Sequence, residues 1–148
     1  MPVIPGPTAA VPEALPIRND PLGDGYFGAK RGGGKRKHLG IDLASPMAGL
    51  VYASKSGWAR IFYYPHGYGK LVVINHPGNW QTRYGHLDNI KIKSYSWVKQ
   101  GDVIGSVGKT GNAIEPGIMP HLHFEIRKNN KPLNPEPFLL KKRKECCE

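Results

Sequence analysis

Cysteine is nearly absent. The 148-residue chain carries two, adjacent at Cys146 and Cys147, which excludes a disulfide scaffold and any four-cysteine zinc site. Long apolar runs are missing too: no stretch approaches the roughly 18 residues that a membrane-spanning helix needs. No window holds its apolar positions at a helical period. The first residues, Met1 to Pro16, lack the basic start of a secretory leader, and their apolar positions are interrupted by Pro2, Pro5, Pro7 and Pro12, so no signal peptide is read in this chain. Acidic residues are scarce, with 11 Asp and Glu against 21 Lys and Arg, a formal charge of +10. Such a balance favours polyanionic partners. The interleaved aromatic and basic signatures of nucleic-acid-binding β-barrels are lacking, so no nucleic acid is expected.

Punctuation is what the chain has in excess: 19 glycines and 14 prolines. Chains broken this often hold few long helices. Strand-like runs at 49–54, 58–64, 70–76, 81–86, 103–107 and 121–127 alternate with turn chemistry such as Pro77-Gly78-Asn79. The expected class is mainly β: a single antiparallel-sheet domain with few or no long helices. Three regions are expected: a Pro-rich arm over 1–24, a folded domain over 25–140 and a basic tail over 141–148.

Three short segments carry chemistry: His38-Leu39-Gly40-Ile41-Asp42, Tyr84-Gly85-His86-Leu87 and His121-Leu122-His123-Phe124-Glu125. In the last, strand alternation puts His121, His123 and Glu125 on one face and Leu122 and Phe124 on the other. Imidazoles about 6.6 Å apart along a strand can serve one site, one holding a metal and the other reaching its bound water. In an extended strand His38 and Asp42 would lie about 13 Å apart, too far to share an ion, so the chain must bend between them, and Gly40 is the residue expected to permit it. Glu125 is a candidate to orient an imidazole. His76 and His66 read as structural, and Tyr84, Trp58 and Trp80 as core residues more readily than groove residues.

Together the three segments resemble the zinc-dependent peptidoglycan endopeptidases of the lysostaphin and LytM type, the M23 metallopeptidases. The resemblance extends from Gly25-Tyr26-Phe27-Gly28 through Leu71–His76, Val98–Gly105 and Val107–Gly111 to Glu125, in the family's order. It implies a groove holding one zinc per chain, with His38, Asp42 and His123 as ligands and His86 and His121 as the catalytic histidines. Three protein ligands leave a position open for water, as catalytic zinc sites do. The implied activity is hydrolysis of peptide cross-links in bacterial peptidoglycan by a zinc-activated water, with His121 favoured as base because it shares a strand with His123. The D-alanyl cross-link is expected over a glycyl–glycine bond. The implied partners are the peptidoglycan peptide and an anionic wall polymer, the latter drawn to Lys30-Arg31 and Lys35-Arg36-Lys37. The place of action is the cell wall, whether periplasmic, extracellular or phage-delivered. Some members of this family have lost their zinc ligands and act as wall-binding modules that activate other hydrolases, which is the alternative reading. One departure from the pattern, a longer approach over Asn112–Pro120, is expected to rim the cleft.

Overall fold

The computed structural model describes residues 16–139; most of the Pro-rich arm and the basic tail lie outside the described residues. Two short ladders come first, β1 (Asn19–Asp20) with β2 (Gly23–Asp24), and β3 (Lys30–Arg31) with β4 (Arg36–Lys37). One nine-stranded sheet follows. Its strands are β5 (Ile41–Ala44), β6 (Leu50–Tyr52), β7 (Gly57–Tyr63), β8 (Lys70–His76), β9 (Trp80–Ile90), β10 (Ser96–Val98), β11 (Val103–Val107), β12 (His121–Lys128) and β13 (Lys131–Leu133). All pairings are antiparallel. Among the described residues helix is confined to a 3-10 turn at Gly111–Ile114 and a short helical turn at 136–139. Among the described residues no helix is long and apolar enough to cross a membrane.

The mainly β class expected from the sequence is what the structure has, and β8 and β11 fall on the expected runs. The largest difference is β9, which continues past His86 to Ile90. It does so because it changes partners there. Trp80–Gly85 pair with β12, whereas Leu87 and Ile90 pair with β11. The β8–β9 register shifts at the same place, so β9 carries a bulge centred on Gly85 and His86. Bulges bend a strand and re-aim a side chain, and His86 sits at φ +60°, a conformation that costs a non-glycine residue energy.

Directly paired residues of an antiparallel sheet share a face. One row of the core face runs Ile61, Val72, Tyr84, Phe124, Ile41 across β7, β8, β9, β12 and β5. Tyr84 and Phe124 are fully buried with ring centroids 5.5 Å apart; truncating Phe124 to alanine would cost about 3–5 kcal/mol. Tyr84 is therefore a core residue, its hydroxyl bonded to Ser54. The opposite face of the same strands carries His123 and Glu125. The anchoring apolar side of β12 thus fixes where its polar side points.

Residues 16–24, grouped with the arm in the sequence reading, lie against β5. Ile17 bridges to Leu43, the Arg18 amide donates to the Asp42 carbonyl at 2.8 Å, and the Asp42 amide donates to the Gly25 carbonyl at 2.9 Å. An otherwise open strand edge is covered, and the cover ends beside the histidines.

Candidate metal centre

His38 follows β4, Asp42 lies in β5, His86 sits at the β9 bulge, and His121 and His123 lie in β12. All of them line one cavity of about 580 Å³. Asp42 and His123 are cross-strand partners. His38 reaches them because the chain turns between β4 and β5, but Gly40 is required there for space, not for a left-handed backbone. A Cβ at Gly40 would run into the Phe124 carbonyl and the Glu125 side chain of β12.

Three donor atoms converge. His38 Nε2 is 2.9 Å from Asp42 Oδ1, His123 Nδ1 is 3.0 Å from the same oxygen, and the two nitrogens are 3.1 Å apart. A tetrahedral ion with ligands at 2.0–2.1 Å would space them about 3.3 Å apart. Two imidazole nitrogens and one carboxylate oxygen, all buried, form a donor set that could hold a divalent ion with a coordination position to spare.

Each ring is aimed by its outer nitrogen. His38 Nδ1 donates to the Tyr26 carbonyl at 2.9 Å, and His123 Nε2 donates to Glu125 Oε2 at 2.7 Å. His86 Nδ1 donates to the Thr110 carbonyl, and His121 Nδ1 to the Met119 carbonyl, each at 2.8 Å. Carbonyls and carboxylates can only accept, so the outer nitrogen carries the proton. In a neutral ring the inner nitrogen then presents a lone pair to the cavity. His121 Nε2 is the one buried side-chain polar atom among the described residues without a hydrogen-bond partner. It lies 3.7 Å from Asp42 Oδ2.

Charge supports this geometry. Asp42 Oδ2 accepts from Arg18 Nη1 at 2.9 Å, which turns Oδ1 toward the histidines. Burial opposes ionisation of Asp42, but hydrogen bonds to His123 and His38 outweigh it and hold the carboxyl far below the usual range. His123 is pulled up to about 9, its burial overcome by Asp42 and Glu125. Burial, reinforced by repulsion from His123 and His121, pushes His86 down to about 3, and burial also lowers His121. These two rings are neutral proton acceptors near pH 7.

Glu125 is fully buried and accepts from Tyr68 Oη at 2.5 Å and Arg127 Nε at 2.8 Å as well as from His123. Its carboxyl is held at about 2, burial being outweighed by these partners. Asn112, Ala113 and Ile118 line the cavity, as expected of the segment before His121, and so do Arg31, Arg36 and Lys37 of the basic stretch. His76 is bonded to the Ser56 carbonyl and Thr82 Oγ1, away from the cavity. Arg18 and Tyr68 are the contributors the sequence did not announce.

A model of peptidase family M23 matches residues 36–135. The DD-carboxypeptidase/endopeptidase Mpg of Neisseria meningitidis is 40% identical over 105 residues, 71% of this chain and 23% of that protein. The murein hydrolase activator NlpD of Escherichia coli is 34% identical over 116 residues, 76% of this chain and 28% of that protein. A zinc-containing peptidase from Vibrio cholerae superposes with a TM-score of 0.64 and 34% identity, covering 79% of this chain and 35% of that one. The chain thus spans about a quarter of the length of the curated relatives it matches.

Proposed function

The chain belongs to peptidase family M23, and from that premise we propose that it is a zinc metallo-endopeptidase hydrolysing the peptide cross-links of bacterial peptidoglycan. The observation that carries the proposal is the convergence of His38 Nε2, Asp42 Oδ1 and His123 Nδ1 within about 3 Å of one another, beside the unpartnered Nε2 of His121. These three residues would hold the metal. Zinc, when bound, supplies a Lewis acid that polarises the scissile carbonyl and lowers the pKa of water.

The protein's own groups move the protons. His121 accepts the proton of the attacking water at Nε2, its Nδ1–H being committed to Met119, and returns it to the leaving amine. His86 also offers an acceptor at Nε2. Burial keeps it neutral, so it orients the water or a substrate N–H and does not act as a cation on the oxyanion. Arg31, Arg36 and Lys37 at the cavity draw anionic wall polymer toward the cleft. Likeness to the relative named a DD-carboxypeptidase/endopeptidase favours the D-alanyl cross-link as the bond cut.

A second reading, a non-hydrolytic activator of other wall hydrolases, has the likeness to NlpD in its favour. Digestion of purified cross-linked muropeptides, followed by mass analysis, separates the two. Cleavage at the D-alanyl bond that a chelator abolishes and zinc restores supports the peptidase. An inert zinc-loaded protein that stimulates a separate murein hydrolase would replace it with the activator.

A further inference from the structure

The sheet face that carries the metal centre continues to the far edge of the sheet; Leu71 and Val73 on it are buried, whereas Asn75, Trp58 and Trp97 are exposed. One cross-strand row on this face reads Trp97, Trp58, Asn75, Gln81, Arg127, from β10 through β7, β8 and β9 to β12. Trp58 and Trp97 meet edge to face at 5.5 Å yet remain 57% and 47% exposed. Next to them the Arg60 guanidinium lies over the rings of Phe62 and Tyr95, 4.9 and 5.4 Å from their centroids. Tyr64 stacks on Phe62 and leans toward Tyr68, which touches His123. An aromatic track therefore runs from the metal centre to the β10 edge.

The polar members of the row are organised. Gln81 Nε2 donates to Asn75 Oδ1 at 2.8 Å, and Arg83 Nε donates to Gln81 Oε1 at 2.7 Å. A cavity of about 390 Å³ opens at this end of the strands, lined by five amide side chains, Asn75 and Gln81 among them, together with His76 and Trp80. Amide side chains both donate and accept and carry no charge. Flat rings beside amides suit a ligand with apolar C–H faces and a rim of hydroxyl and acetamido groups.

We propose that this face binds the glycan strand of the wall polymer, a chain of N-acetylated aminosugars, with Trp58 and Trp97 as stacking platforms and the amides of Asn75 and Gln81 gripping the sugar edges. A lipid surface calls for cations free to meet headgroups, whereas Arg60, Arg83 and Arg127 on this face are committed to rings, to Gln81 and to Glu125; an apolar protein partner calls for a drier patch than one with paired amides. Continuity with the metal centre gives the arrangement its use. The row meets β12 at Arg127, on the same strand and face as His123 four residues away, so a sugar chain held along it would bring its branching peptide to the strand that carries this residue. The proposal takes the identity of the polymer from the function proposed above, but binding itself needs no hydrolysis.

The test uses the zinc-loaded full chain and oligomers of N-acetylglucosamine, followed by tryptophan fluorescence and amide shifts in NMR spectra. Saturable binding is expected, with shifts at Trp58, Asn75 and Trp97, weakened about five- to tenfold in Trp58→Ala or Trp97→Ala, the scale of one lost aromatic contact. Trp58→Tyr should recover most of it. Tyr63→Ala, an exposed ring on the opposite face of β7, should bind as wild type. The ratio of activity on intact sacculi to activity on sugar-free cross-linked peptides should fall in Trp58→Ala. The assignment is overturned by no oligosaccharide binding at millimolar concentration, by equal loss in Tyr63→Ala, or by vesicle binding that depends on Trp58 while sugar binding does not. Sugar binding by a protein that cuts no peptide would support this surface and sink the peptidase; peptide cleavage without sugar binding would do the reverse.

Discussion

Glu125 gives the sharpest test of how the metal centre is held. Replacing it with glutamine keeps the shape and removes one negative charge from a site with no solvent exposure. Glu125 serves three donors: His123 Nε2 and Tyr68 Oη on one oxygen, Arg127 Nε on the other. A glutamine has one acceptor oxygen, so its NH2 must oppose either Arg127 or the His123–Tyr68 pair. A charge-assisted hydrogen bond is worth about 1.5–3 kcal/mol, and a buried donor left unpaired costs a similar amount. His123 loses the partner that fixes its ring and raises its basicity, and such orienting partners are worth about 10–100-fold in metal affinity. That range corresponds to about 1.4–2.8 kcal/mol, the same size as the lost bond, so the two routes to the magnitude agree. Competition with a chromophoric chelator at pH 7.5 should show zinc affinity falling within that range, with the far-UV spectrum unchanged. Affinity within twofold of wild type would refute the idea that Glu125 positions the ligand.

His38→Ala, Asp42→Ala and His123→Ala should each remove the stoichiometric metal measured by elemental analysis after dialysis; full occupancy in any one of them would strike that residue from the ligand set. His86→Ala and His121→Ala should keep the metal while losing at least about 100-fold in rate, and near-normal turnover in either would end its catalytic assignment. Metal-free protein should lose stability as pH falls below about 6.5, where an unfolded His86 takes up a proton that the folded one, at about 3, refuses, for a loss of about 2 kcal/mol by pH 5. His123, held up at about 9, works the other way, because its unfolded counterpart takes up a proton in the same window that the folded ring already holds; it offsets about 0.8 kcal/mol between pH 7 and 5, leaving a net loss of about 1 kcal/mol, so a melting temperature that rises from pH 7 to 5 would contradict the burial of His86. Added salt should slow hydrolysis of sacculi more than of small muropeptides, because screening acts on the basic stretch around Arg36; equal salt effects would remove attraction to the wall polymer from the account.

What the sequence revealed depended on local period and short spacing. The alternation in His121–Glu125 was enough to place three polar side chains on one face, and the structure brings them to one cavity because Leu122 and Phe124 are anchored in the core. The hairpin-like strands β8 and β11 were legible for the same reason. Long-range geometry was not. Arg18 grips Asp42 across 24 residues of chain, and nothing in the proline-rich start marks it. Tyr68 reaches Glu125 across 57 residues from a loop that reads as a plain turn. The bulge at His86 was hidden as well, since a left-handed histidine leaves no compositional trace; only the two partners that compete for β9 explain it. Gly40 was legible as necessary but for the wrong reason: it makes room for β12.

The arrangement of His121 bears on the choice between hydrolase and activator. His86 carries the strain of a positive φ, about 1–3 kcal/mol, and His121 Nε2 is left without a protein partner, facing the cavity. Both features fall on the two histidines that the donor set of His38, Asp42 and His123 does not use. A module that only binds the wall gains nothing from the strain, since glycine at 86 would relieve the backbone. Two acceptor nitrogens held open beside a metal-binding trio are what proton transfer in peptide hydrolysis requires. The strain kept at His86 and the open nitrogen of His121 thus favour the proposed enzyme. That open nitrogen also has a direct consequence: His121→Gln, which can satisfy the pocket with its own amide, should melt at or above the wild-type temperature in the metal-free state while hydrolysis collapses. A variant that was both less stable and inactive would show that His121 is there to hold the fold.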